Sequence, residues 1–426
     1  MKWTESRSLK RLLTNESLIL QSPSYPNPRI CLLPPSETMA TKGKTIRCKG
    51  AVCWKRGEPL VIEEVDVAPP QPSEVRIKII CTSLCHSDVT FWTLPEPAGV
   101  FPRILGHEAV GIVESVGEGV REFKEGDMVV PSLLADCEEC VGCKSEKSNI
   151  CATFPFSPLR TGMPRDGSSR LSTASGQRLH HFLNVSSFVE YTVLDVTHLV
   201  KVDPADVPPE KACLLGCGVS TGVGAAWRAA GVEMGSKVAI FGLGSVGLAV
   251  AEGARLRGAS QIIGVDLNPD KHEIGKKFGV TDFINPKECG DKSLSQVVME
   301  LTGGGADYCF ECVGLASLMS EAYSSSRPGR GKTVILGVEM NGAPFCIGSG
   351  ELLQGRTVVG SLFGGVKPKT DIPNFARLYK RKELQLDDFI THEVSLHEIN
   401  QAFELLTQGK SLRCIIWMDK PTNRIN

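Results

Sequence analysis

This chain has no excess of positive or of negative charge. Lysine and arginine number 47 against 48 aspartates and glutamates, a formal net charge of -1. That balance gives no electrostatic footprint for nucleic acid or for an anionic membrane surface. Long apolar runs are missing as well. The longest, Val238 to Ala251, holds three glycines and falls short of a bilayer span. The first thirty residues carry no apolar run beyond Leu18-Ile19-Leu20, so a secretory signal is not expected. No repeats occur, and no low-complexity segment follows residue 43. What is there is an ordinary globular composition, 42% apolar and 22% charged, in 426 residues, room for two or three domains with full cores. Sixteen cysteines in a chain that does not look secreted read as reduced thiols in the cytoplasm, several of them on zinc.

Four of those thiols, Cys137, Cys140, Cys143 and Cys151, fall within fifteen residues. One loop with this spacing can wrap a tetrahedral zinc, and four thiolates leave no open coordination position, so such a site holds a loop and catalyses nothing. Disulfides or free thiols are the alternative. A lobe of this kind prompts a search for a second, open zinc.

Residues 1–43, rich in Ser, Pro, Asn and basic residues, have no core-forming periodicity and are expected to be a disordered extension. A transit peptide is the other reading, weakened by Glu5, Glu16 and Glu37; Met39 is a second candidate start. From Ile46, short strands broken by Gly and Pro (Val75–Ile80, Ala109–Val113, Asp127–Val130) indicate a β-rich region of barrel type. From about Val219, apolar strands Val238–Phe241, Gln261–Val265 and Thr333–Leu336 alternate with helical stretches, the mark of βαβ units and a parallel sheet. The tail adds a helix near Ile399–Leu406 and a strand, Cys414–Trp417.

Gly242-Leu-Gly244-Ser-Val-Gly247 follows one strand and opens a helix, and Asp266 ends the next strand, nineteen residues on. Gly242 permits the tight turn, Gly244 admits a pyrophosphate and Gly247 brings the helix close to the strand. The helix N-terminus offers free N–H groups to the phosphates. Asp266 would accept bonds from ribose hydroxyls and repel a 2′-phosphate, which favours NAD over NADP. Its alternative role is a turn or cap residue.

An open zinc needs about three protein ligands. Cys85 in Cys85-His86-Ser87-Asp88, His107 in Gly106-His107-Glu108, and Cys217 in Gly216-Cys217-Gly218 are candidates, although spacing alone does not set them apart from core residues. Taken with the four-cysteine run, Gly-Cys-Gly-Val-Ser-Thr-Gly and Gly-Leu-Gly-Ser-Val-Gly, these motifs occur in the order found in the zinc-containing medium-chain alcohol dehydrogenases. The chain resembles that family from about residue 45 to 420, and most closely its plant alcohol dehydrogenase-like branch. The resemblance implies a GroES-like catalytic part, residues 44–218 and 362–426, and a Rossmann NAD-binding domain, residues 219–361. It implies two zinc ions per subunit: a catalytic one on Cys85, His107 and Cys217, and a structural one on Cys137, Cys140, Cys143 and Cys151. It implies that Glu108 and Asp88 support the catalytic site, with Asp88 orienting His107, and that Ser87 takes the proton from bound alcohol. By the same resemblance, His86 and Arg413 contact the cofactor phosphates and Thr221 packs near the nicotinamide. Val246 and Lys271 join Gly242, Gly244, Gly247 and Asp266 in the cofactor set.

The expected activity is therefore the reversible, NAD-linked oxidation of primary or secondary alcohols. By the resemblance, Thr90 stands where many animal relatives have a relay histidine, and Leu133 where the family often has an aromatic ring, which predicts more room near the zinc. A glutathione-dependent formaldehyde dehydrogenase is an alternative, disfavoured because Ala152–Ser157 has no basic residue, though Arg160 is near. A non-catalytic, redox-sensing zinc and nucleotide-binding protein is another. The family pattern also implies a homodimer joined edge to edge through a strand near Phe345–Ile347.

Overall fold

The computed structural model describes residues 41–95, 99–340 and 342–419. The extension expected over residues 1–43 lies outside these but for its last three residues. Within them, the Thr41 hydroxyl donates to Glu114 at 2.5 Å.

Among the described residues the strands run β1 Ile46–Cys53, β2 Val61–Val67, β3 Glu74–Leu84, β4 Arg103–Ile104, β5 Glu108–Val116, β6 Met128–Pro131, β7 Leu171–Thr173, β8 Tyr191–Asp195 and β9 Leu199–Lys201. There follow β10 Lys237–Phe241, β11 Gln261–Val265, β12 Asp282–Ile284, β13 Tyr308–Glu311, β14 Lys332–Ile335, β15 Thr357–Gly360, β16 Ile390–Ser395 and β17 Arg413–Trp417. Two largely antiparallel sheets make the β-rich part: β4-β1-β2-β7, and β16-β17-β3-β5-β6-β9 with β8 also paired to β3. Strand β3 is buried along most of its length because β5, β8 and β17 all pair with it. Its alternating Val75, Ile77 and Ile79 enter one core with Ala109, Val113 and Val129.

The third sheet is parallel throughout, in the order β12-β11-β10-β13-β14-β15. The chain steps outward from β10 to β12 and then returns to β13 on the other side of β10. That reversal is the switch point of a doubly wound Rossmann sheet, where ligands enter beyond the carboxyl ends of the strands. Three helices matter for the site: α1 His86–Thr93, α2 Gly218–Gly224 and α3 Ser245–Leu256. Gly222 and Gly253 bring α2 against α3, since a Cβ at Gly222 would run into Ala249 and one at Gly253 would come within 3.0 Å of Val223. No described helix is long and apolar enough to cross a membrane.

The strand expected near Phe345–Ile347 finds no ladder partner within one chain. Residues 342–348 carry no strand, and the edge of the parallel sheet is β15 instead. A strand needs a ladder partner, Pro344 lacks an N–H to offer one, and the Cys346 carbonyl accepts from the Ser320 hydroxyl at 2.9 Å.

Candidate functional site

Register brings the first donors together. Ser83 on β3 pairs with Glu108 on β5, so Cys85, just past one strand end, and His107, just before the other strand begins, become neighbours. Gly106 (φ +91°) makes the bend ahead of His107, where a Cβ would meet Phe188 at 2.5 Å. Cys217 arrives at the N-cap of α2. The ligand atoms of Cys85, His107, Glu108 and Cys217 all lie within 4.8 Å of one another.

A second layer orients them. Asp88 is fully buried. Its Oδ2 accepts from the Cys85 N–H at 2.9 Å, and its Oδ1 accepts from the Gly106 N–H at 3.0 Å and faces His107 Nδ1 at 3.0 Å. The first of these bonds also caps α1. With Nδ1 held, His107 Nε2 is buried with no hydrogen-bond partner among the described residues, an orphan that a metal ion would satisfy.

Glu108 and Arg413 form a buried ion pair, with Nε to Oε2 at 2.8 Å and Nη2 to Oε1 at 2.8 Å. The Gly218 N–H adds a bond to Oε1 at 2.9 Å. Both Glu108 oxygens are thus engaged, and Cys85, His107 and Cys217 are left as the freer donors. A hydrogen bond from Cys217 and the charge of Arg413, whose Nη2 sits 3.6 Å from Cys85 Sγ, hold the Cys85 thiol well below its ordinary range. Burial opposes a charge on His107, yet the Asp88 carboxylate and the Cys85 sulfur raise its imidazole well above the usual range. This donor set stabilises positive charge at its centre, as a zinc site must.

The four-cysteine lobe has the geometry of a closed site. Cys137 Sγ and Cys143 Sγ are 3.8 Å apart, and Cys140 Sγ and Cys151 Sγ 3.9 Å apart. A tetrahedron with Zn–S bonds of about 2.3 Å has edges of about 3.8 Å. Disulfides, at about 2.05 Å, are excluded. Backbone N–H groups point at the sulfurs: Cys143 and Ala152 at Cys140, Cys140 at Cys137, and Phe154 at Cys151. The Cys143 N–H is the largest cause holding the Cys140 thiol down at about 5.

The glycine turn follows β10. Gly242 has φ +94°, a Cβ on Gly247 would run into the Gly242 carbonyl, and a Cβ on Gly244 would meet no protein atom within 4 Å. That open side leaves room for a phosphate beside the first turn of α3, which also carries Val246. Asp266 accepts from the Leu243 N–H at 2.8 Å and the Asn268 N–H at 2.9 Å, tying the turn to the end of β11. Burial lowers the pKa of Lys271 while Asp266 and Asp270 pull it up. Arg413 links this turn to the metal donors, because its Nη1 donates to Ser245 Oγ at 2.7 Å in the first turn of α3.

The remaining expected residues are placed as follows. His86 opens α1 and is exposed. Ser87 Oγ lies 3.9 Å from Cys85 Sγ. The Thr90 hydroxyl donates back to the His86 carbonyl at 3.0 Å, and Thr221 sits on α2. Leu133 is buried, but the site is not without aromatic rings: Phe182 packs edge-on to His107 with centroids 5.7 Å apart, and Phe91 packs on Phe182 at 5.1 Å. Sequence reading missed Phe182 and the Glu108–Arg413 pairing, since neither has a local spacing signal.

Comparison with known proteins agrees with this geometry. The chain matches the family patterns described as alcohol dehydrogenase GroES-like domain over residues 71–204 and zinc-binding dehydrogenase over residues 245–381. It is 60% identical over 381 residues to "Alcohol dehydrogenase-like 2" of Arabidopsis thaliana, covering 89% of this chain and 98% of that one. It is 52% identical over 381 residues to "Alcohol dehydrogenase 2" of Zea mays, covering 89% and 100%. Among solved structures, benzyl alcohol dehydrogenase from Acinetobacter calcoaceticus superposes with a TM-score of 0.79 at 30% identity, covering 88% of this chain and 100% of that chain. With a four-cysteine cluster, and a second donor cluster joined through Arg413 to a dinucleotide turn, the chain belongs to the zinc-containing medium-chain alcohol dehydrogenases, oxidoreductases that use zinc and a nucleotide cofactor, and within them to the plant alcohol dehydrogenase-like branch.

Proposed function

We propose that the protein is an NAD-linked alcohol dehydrogenase that reversibly oxidises primary or secondary alcohols to aldehydes or ketones. The observation that carries this is the position of Arg413, which joins the Cys85–His107–Cys217 donors to the first turn of the nucleotide helix, so that metal and cofactor meet at one spot. Cys85, His107 and Cys217 would hold one zinc, and Cys137, Cys140, Cys143 and Cys151 a second. When bound, zinc acidifies a coordinated hydroxyl and the nicotinamide accepts a hydride.

The chain's own residues do the rest. Asp88 fixes the His107 ring so that Nε2 faces the cluster. Arg413 neutralises Glu108 and stabilises thiolate at Cys85. The Ser87 hydroxyl, beside Cys85, takes the proton from the alcohol. Thr90 is a poor next carrier because its hydroxyl is already committed to the His86 carbonyl, so the proton leaves through solvent. Asp266 keeps unused lone pairs for ribose hydroxyls and would repel a 2′-phosphate, which supports NAD.

Leu133 in place of an aromatic ring supports larger alcohols over ethanol, in keeping with the structural neighbour named a benzyl alcohol dehydrogenase. Arg160 is engaged with the Pro155 carbonyl and Asn184, which counts against a glutathione-dependent activity. A homodimer is part of the proposal: β15 is a sheet edge, and Val338, Leu352 and Leu353 nearby in the chain are exposed. A sedimentation mass of one chain would remove that part.

The test is a panel of alcohols assayed by NADH absorbance on protein with about two zincs per chain. Turnover with NAD, a higher specificity constant for benzyl alcohol than for ethanol, and turnover lower on the order of a thousandfold in Cys85→Ala are expected. A single zinc with no turnover would favour the redox-sensing alternative.

A further inference from the structure

The four-cysteine lobe grips a distant part of the chain. From between Cys143 and Cys151, the Asn149 side chain donates through Nδ2 to the Leu362 carbonyl at 2.9 Å and the Val366 carbonyl at 3.2 Å, the two ends of one turn. Lys367 reaches the other way, its Nζ donating to the Cys143 carbonyl at 2.7 Å. Lys369 joins Glu138 of the lobe at 3.3 Å and Glu122 at 2.8 Å.

The turn needs holding. Phe363, Gly364 and Gly365 are consecutive left-handed residues, with φ of 54°, 65° and 74°, and a phenylalanine there is strained. It also packs tightly on α2. A Cβ at Gly364 would run into the Thr221 carbonyl, and one at Gly224 into the Val366 side chain.

Its location gives this a consequence. The glycine turn and Asp266 follow β10 and β11, so the adenosine half of a dinucleotide lies on that side of the switch point. The other half then falls over the carboxyl ends of β13, β14 and β15. The Leu362–Val366 turn leaves the carboxyl end of β15 and rests on Thr221, in the helix that begins at Cys217.

We propose that Asn149 is a positioning residue for the nicotinamide half of the cofactor: it holds the Leu362–Val366 wall in place, so the four-cysteine lobe governs how tightly that half is gripped. This rests on the reading that the chain binds a nicotinamide dinucleotide across the parallel sheet. Asn149 touches no reacting group; it acts through the turn.

Two ligands separate this role from plain stability. NADH carries the nicotinamide, and ADP-ribose lacks it. Both affinities would be measured by calorimetry on zinc-replete wild type, Asn149→Ala and Lys367→Met, with zinc content checked for each. NADH should bind about tenfold more weakly to Asn149→Ala and roughly threefold more weakly to Lys367→Met, while ADP-ribose stays within about twofold of wild type. Equal losses for both ligands, or no loss for NADH, would overturn the proposal. If Asn149→Ala sheds its lobe zinc, Lys367→Met decides alone, because its tie ends on a backbone carbonyl. A wild type that binds neither ligand would instead refute the dinucleotide reading.

Discussion

The lobe of Cys137, Cys140, Cys143 and Cys151 draws every donor from one loop, whereas Cys85, His107, Glu108 and Cys217 come from three separate stretches of chain. The means of stabilising sulfur differ as well. In the lobe, backbone N–H groups from the same loop point at the thiols. At the other site the sulfur of Cys85 is served by Arg413, 328 residues further on. A local site can assemble as soon as its loop closes, and it acts by holding that loop and whatever the loop grips. A site built from distant segments exists only in the finished fold, and it can combine a metal, an oriented imidazole and a cofactor turn.

Removing one thiol from each site separates the two most strongly. Cys85→Ala should cut turnover on the order of a thousandfold and remove one zinc while the fold persists. Cys140→Ala should instead lower stability by about 2–5 kcal/mol and remove the other zinc, with turnover at saturating cofactor kept below the new melting point. Calorimetric melting paired with zinc analysis reads both. Loss of hydride transfer in a folded Cys140→Ala protein would mean that the two sites do not differ in this way.

A smaller change probes the second layer. Asp88→Asn keeps the shape but gives up the carboxylate that orients His107, and zinc affinity at that site should fall roughly 10–100-fold. Competition with a chelator, followed by activity, measures it. An unchanged affinity would mean that packing of Phe182 on the ring is enough.

His107 also contrasts with His181, which is buried among cations. Burial first, then Arg170, Arg178 and their neighbours, lowers the His181 pKa to about 3. The unfolded chain would protonate this imidazole below about 6.5, whereas the folded chain keeps it neutral down to about 3. Stability is therefore fully present above about 6.5 and falls as the pH drops toward 3. Between pH 7 and 5 the loss from this residue should be roughly 1–2 kcal/mol. Urea unfolding of wild type and His181→Gln at the two pH values checks it, and a variant with the same pH slope as wild type would assign acid lability elsewhere.

Much of the molecule was legible before any fold was known. The lobe could be read because its spacing is local, and the glycine turn because strand, turn, helix and acid follow one another in order. Cys85, His107 and Cys217 were legible only through resemblance, since a single Cys or His on its own looks like core filling. The pairing of Glu108 with Arg413 and the packing of Phe182 on His107 left no trace in spacing. The segment near Phe345–Ile347 forms no ladder within one chain, because an extended segment becomes a strand only with a partner at its side.

The order of residues along the chain already supplies the chemistry: thiols at metal spacing, a phosphate-admitting turn, and an acid suited to a ribose. Which distant groups answer to one another came only with the closed fold, which sets Arg413 between Glu108 and Ser245 and Asn149 onto the turn after β15. The reason is physical. A periodic pattern records which face of an element is buried, but a hydrogen bond between residues hundreds of positions apart depends on register and packing, which form only when the whole chain has closed.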